Sequence, residues 1–179
     1  YPPNVDALRT LLEYVLPRIL KKGHIAKLML SGRGLERHSH LFRSQSNVIP
    51  VYQPSPYDLH QLPRFLASAD LSVMPIRSGS GTRIKIIECM AVGVPVVTTR
   101  IGAEGLPIDN CAVITDMVGD EFVQGIVRVI TNVERRRELS LLSRELVTAQ
   151  FDWDKNAQKY LELYNLTIRD KVSRKRGRH

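Results

Sequence analysis

The chain has 179 residues, of which 43% are hydrophobic and 25% charged, with a formal net charge of +8. That length suits one domain with a full core, and the composition excludes a disordered or fibrous chain. No apolar run approaches the ~18 residues of a membrane span, and Cys89 and Cys111 show neither metal nor redox spacing, so both are expected to be buried thiols in a reducing compartment.

In chain order, Tyr1-Pro-Pro-Asn-Val-Asp6 leads into an expected helix with Leu8, Leu11, Leu12, Val15 and Leu16 at helical spacing and Asn4 as its N-cap. Lys27–Ser31 reads as a short strand ending in Gly32-Arg33-Gly34, where Arg33 is the side chain best able to reach a phosphate or a base. His38 and His40, two residues apart, do not share a helical face and are expected on the surface. Val48–Val51 is a second strand. The segment Tyr52 to Tyr57 holds two prolines, and its Tyr52 can stack on a base or simply pack. Leu59 to Ala69 reads as a helix and Leu71–Met74 as a strand closed by Pro75.

The next stretch, Ser78-Gly79-Ser80-Gly81-Thr82-Arg83-Ile84-Lys85-Ile86-Ile87-Glu88, organises the rest. Ile84, Ile87 and Ala91 recur at helical spacing up to Gly93, the expected C′ residue, so the pattern is strand, glycine loop, helix. Such a loop leaves backbone amides unpaired at a positive helix end and allows a phosphate to approach, with Thr82 as the expected N-cap. Arg83 and Lys85 would place cations in the first turn, where the macrodipole disfavours them and a bound di-anion would relieve them. Glu88 is placed to accept from hydroxyls beside the phosphates, such as those of a ribose. The plainer reading is a tight connection with a solvated Lys85–Glu88 pair.

Beyond it, Val94–Thr98 reads as a strand, Arg100–Leu106 as a turn across the sheet edge and Ala112–Ile114 as a last strand. Glu121–Ile130, Glu134–Val147 and Trp153–Leu166 read as helices, with Trp153, Tyr160 and Tyr164 as expected core contacts. Short apolar strands alternating with helices specify an α/β domain with a parallel sheet covered on both faces, binding ligands beyond the carboxyl ends of its strands. From Thr167 onward six cations face Asp170 alone, so the tail carries +5 and the body +3. Residues 1–166 are thus expected to form the domain and 167–179 a solvated basic tail. Contact of that tail with anionic lipid headgroups stays open; a nucleic-acid partner is disfavoured by the mildly basic body.

The run from Gly79 to Thr99, followed by Gly102-Ala-Glu-Gly-Leu106, resembles the nucleotide-sugar signature of the group 1 (family 4) glycosyltransferases. The resemblance implies the C-terminal, donor-binding half of a GT-B enzyme, a Rossmann-like doubly wound parallel sheet. It also implies that a first strand and an N-terminal acceptor domain precede residue 1, with the Phe151-Asp-Trp-Asp154 helix bracing that domain. The implied reaction is metal-independent and retaining transfer from a nucleoside diphosphate sugar to a glycan, lipid-linked or small-molecule acceptor hydroxyl, with no cofactor and at a cytoplasmic location. Donor contacts would come from Gly32, Arg33, Tyr52, Gly79, Ser80, Gly81 and Thr82. Arg83 and Lys85 would serve the diphosphate and Glu88 the ribose, these three being the catalytic set. Ser80 stands where many relatives have a sugar-contacting glutamate, and Asn4-Val-Asp6 where many have phosphate-binding cations. A non-catalytic nucleotide-binding or scaffolding module on the same fold is the alternative, and this stretch alone is expected to bind weakly without turnover.

Overall fold

The computed structural model describes residues 2–51 and 61–176, the last eight by backbone alone. Helix α1 (Pro2–Thr10) passes through a π-helical turn, Leu11–Val15, into α2 (Leu16–Lys21). Strand β1 (Leu28–Ser31), a 3-10 segment (Leu35–Leu41) and β2 (Val48–Val51) follow, then α3 (Gln61–Ala67) and β3 (Ser72–Met74). The remainder is α4 (Ile84–Ala91), β4 (Val96–Thr99), β5 (Val113–Thr115), α5 (Asp120–Thr131), α6 (Val133–Gln150) and α7 (Trp153–Arg176). Asn4 is not an N-cap: the helix already runs from Pro2, because prolines suit the first helical positions, where no amide is needed.

Every ladder is parallel, as expected. The pairing falls into two sets, β1-β2 and β3-β4-β5, and among the described residues β1 and β3 each keep one edge without a ladder partner. Strand β4 lies in the middle of its set and is buried at all four residues. Its alternation serves two layers. Val96 packs with Ile86, Cys89 and Met90 of α4, whereas Val97 packs with Phe122, Val123, Ile126 and Val129 of α5. The sheet is therefore covered on both faces. Leu8, Leu12 and Leu16 of the first helical stretch close a third cluster over Leu30 of β1 and Val48 of β2.

α5 lies close on β5: a Cβ built on Gly125 would stand 2.9 Å from Val113 Cγ1. Cys89 and Cys111 are free and buried, and burial pushes both thiols up. Trp153, Tyr160 and Tyr164 are not core contacts; they are 86%, 63% and 67% exposed. Their helical spacing is real, but α7 turns that stripe to the surface, and the helix continues past Leu166 to Arg176.

Two threonines at the carboxyl end of β4 fix the exit of β3. The Thr98 hydroxyl donates to Met74 O at 2.9 Å, and the Thr99 hydroxyl donates to Ile76 O while accepting from the Gly102 amide at 3.0 Å. Both side chains are buried. A Cβ on Gly102 would meet Thr98 Oγ1 at 2.1 Å, so this corner closes only over glycine. Thr99→Val keeps the side-chain shape but leaves a buried carbonyl and a buried amide short of a partner. It should cost about 1–3 kcal/mol in urea unfolding, as a lower midpoint at unchanged slope.

Candidate functional site

Strand β3 delivers the chain through Pro75 and Ile76, both buried, to Arg77, and residues 77–82 then lie exposed. Gly79 and Gly81 have φ of 98° and 88°, in the left-handed region that a side chain resists. Thr82 is not the N-cap of α4. Arg83 is, with φ −86° and ψ 84°, and no side chain caps the helix, so its first amides are not taken up by a local hydroxyl. The turn after β4 comes against the loop: a Cβ on Gly105 would lie 3.8 Å from Thr82 Oγ1.

Arg83 closes the loop on itself, donating from Nη1 to Ser80 O at 2.7 Å. Its Nε and Nη2 are inaccessible and have no hydrogen-bond partner among the described residues. A charged group with two such donors is costly until an acceptor meets it. Lys85, in the first turn of α4, donates from Nζ to Asn4 Oδ1 at 2.9 Å. Desolvation at the ammonium, and next the Arg83 guanidinium, hold Lys85 below the usual lysine range, although the residue as a whole is exposed. Glu88 is half-buried one turn on and forms no ion pair or side-chain hydrogen bond among the described residues.

The buried face of α4 is Ile86, Cys89 and Met90, whereas Ile84 is 66% exposed. The buried face is offset by about two residues from the expected stripe of Ile84, Ile87 and Ala91. That offset leaves Lys85 and Glu88 off the core face.

Thus Ser80, Gly81, Thr82, Arg83, Lys85 and Glu88 share one loop and helix start. Gly32 and Arg33 follow the carboxyl end of β1, with Arg33 exposed and no hydrogen bond joining it to this loop. Tyr52 lies outside the described residues. The sequence reading gave Asn4 and Asp6 no part in holding the site. Asp6 forms a two-point ion pair with Arg77, Nε to Oδ2 being 2.9 Å, 71 residues apart in sequence. A polar Asn-x-Asp on an otherwise core-facing helix is the only trace of it in the chain.

The loop is exposed from residue 77 to residue 82. An exposed glycine loop at a helix start, with an unmatched guanidinium, an ammonium and one carboxylate, can hold a multiply charged anion that carries hydroxyls.

Residues 1–132 match the family model described as glycosyl transferases group 1. A glycosyltransferase of Methanocaldococcus jannaschii is 23% identical over 156 residues, covering 86% of this chain and 40% of that protein. Among solved structures, S. aureus TarM in complex with fondaparinux, alpha-GlcNAc-glycerol and UDP superposes with a TM-score of 0.70 at 19% identity, over 91% of this chain and 33% of that one. A Rickettsia africae glycosyltransferase superposes with a TM-score of 0.73 at 16% identity, over 90% and 45%. The chain therefore spans less than half the length of these relatives.

The Asp6–Arg77 pair sets a pH signature. The guanidinium beside Asp6 lowers its carboxyl below the usual range, so the pair's stabilisation is present above the unfolded value and lost as pH falls through the folded one. Asp6→Asn should be less stable than the parent at neutral pH, by no more than about 1 kcal/mol for so exposed a pair. Thermal melts of the two should converge in strong acid.

Proposed function

The chain belongs to the group 1 glycosyl transferases, and on that basis we propose that its glycine loop and α4 form the donor site for a nucleoside diphosphate sugar. The observation that carries this reading is Arg83, whose Nε and Nη2 are buried without partners among the described residues at the start of an uncapped helix. A diphosphate would supply the oxygens those donors lack once the loop opens around the guanidinium, since neither nitrogen is accessible as it stands. Lys85 adds a second cation, and Glu88 accepts from the ribose hydroxyls.

The reaction proposed is transfer of the sugar to an acceptor hydroxyl with retention at the anomeric carbon and no bound metal. The bond from that carbon to the diphosphate oxygen breaks with its electron pair leaving on the phosphate, while the acceptor oxygen bonds to the same carbon and its proton passes to a base, the departing phosphate oxygen being one within reach. Charge grows on the leaving diphosphate. Arg83, Lys85 and the loop amides act there, and only what binds the leaving group more tightly in the transition state than in the donor complex accelerates transfer. The exposure of the loop, and relatives more than twice as long as this chain, support a division of labour in which acceptor and proton-transfer groups face the loop from the rest of a longer protein, with this stretch alone binding donor weakly and without turnover. The acceptor is proposed as a glycan, a lipid-linked or a small hydroxyl compound.

The test is calorimetric titration of the intact protein with UDP, GDP and ADP beside Glu88→Ala. UDP comes first because TarM is seen with it. One diphosphate should bind, and loss of Glu88 should weaken it by about 1–3 kcal/mol, the worth of a charged hydrogen bond. Failure of a folded protein to bind any of the three would overturn the donor-site reading.

A further inference from the structure

Helix α1 straddles the glycine loop. Asn4 and Asp6 are two residues apart, so their side chains leave the helix on opposite sides. One reaches Lys85 in α4, after the loop, and the other reaches Arg77 at the exit of β3, before it. The loop between Arg77 and Lys85 is thus tied at both ends to one helical turn that contributes no glycine and no cation of its own.

The two ties differ chemically. Asp6 meets its cation with a carboxylate, so Arg77 is neutralised where it stands. Asn4 meets its cation with a neutral amide oxygen, which fixes the ammonium without cancelling its charge. A lysine on four rotatable bonds loses much side-chain freedom when it meets a ligand, and ordering it beforehand removes that loss from binding. We propose that Asn4 is a positioning residue of the donor site, holding Lys85 charged and ordered for the diphosphate, with Asp6 anchoring the opposite end of the loop. The proposal rests on the donor-site reading above. Asn4 is exposed in the first turns of α1, so replacing it does not disturb the core.

The experiment is a double-mutant cycle on the intact protein, with UDP as the probe: Asn4→Ala, Lys85→Met and both together, each checked for an unchanged melting temperature. Asn4→Ala should weaken UDP by about three- to tenfold, the range of one net hydrogen bond, and this loss should vanish in the Lys85→Met background. Asn4→Asp supplies the conservative control. It keeps an acceptor but adds a charge, so it should weaken UDP while raising the Lys85 titration midpoint, followed by the NMR signal of the Lys85 side-chain carbon beside the amine. In the parent, burial of the ammonium acts most on that midpoint and then the Arg83 guanidinium, both lowering it, while Cys89 and Glu88 of α4 oppose them.

A merely structural Asn4 would shift melting and weaken UDP equally with and without Lys85. Parent-like UDP affinity in Asn4→Ala, or a loss that persists without Lys85, overturns the positioning role even while Glu88→Ala still weakens UDP. Absence of binding of UDP, GDP and ADP alike by the folded parent removes the donor-site reading and the positioning role with it; where GDP or ADP binds in place of UDP, the same cycle is read with that diphosphate.

Discussion

The hydroxyls of Thr98 and Thr99 hold the molecule's working edge together. They sit at the buried carboxyl end of β4 and bind the carbonyls of Met74 and Ile76, where the neighbouring strand stops being a strand. Thr98 reinforces the last rung of the ladder, where the Met74 carbonyl also accepts from the Ile76 amide, and Thr99 gives the Ile76 carbonyl, past the end of the strand, a partner that the ladder no longer supplies. The Gly102 amide ties the next turn to the Thr99 hydroxyl. Everything downstream, from Arg77 through the glycine loop to the start of α4, inherits its direction from that corner.

Charge is then laid over this frame in graded fashion. Arg77 is matched by a carboxylate, Lys85 by a neutral amide oxygen, and two donors of Arg83 by nothing among the described residues. The gradient rises toward the helix start, where the peptide dipole is also positive. Such an arrangement is unfavourable for the isolated fold and favourable for a complex, as expected where a site is organised around a charge that the protein does not itself supply.

Much of this was legible in the chain. The β-α alternation, the parallel sheet and the loop from Gly79 to Glu88 follow from apolar runs, glycines and the family signature, because they depend on residues adjacent in sequence. The errors share one cause. Asn4 and Thr82 have capping side chains, yet neither caps, since Pro2 and Arg83 hold the places where those helices begin. Trp153, Tyr160 and Tyr164 have core-like spacing, but periodicity shows only that a face exists and not what lies against it. The Asn4–Lys85 and Asp6–Arg77 contacts span 81 and 71 residues. No local pattern encodes such distances; they exist only once α1 has packed beside the sheet.

The close seat of α5 on β5 has an evolutionary side. With 2.9 Å between Val113 Cγ1 and the place where a Cβ on Gly125 would stand, the two positions share one allotment of volume. A methyl gained at one needs a methyl surrendered at the other, since packed layers yield little to either alone. Substitutions at 113 and 125 are therefore compensatory. Across descendants of this chain the pair should drift as a unit, small with large or large with small, even though neither residue belongs to the glycine loop.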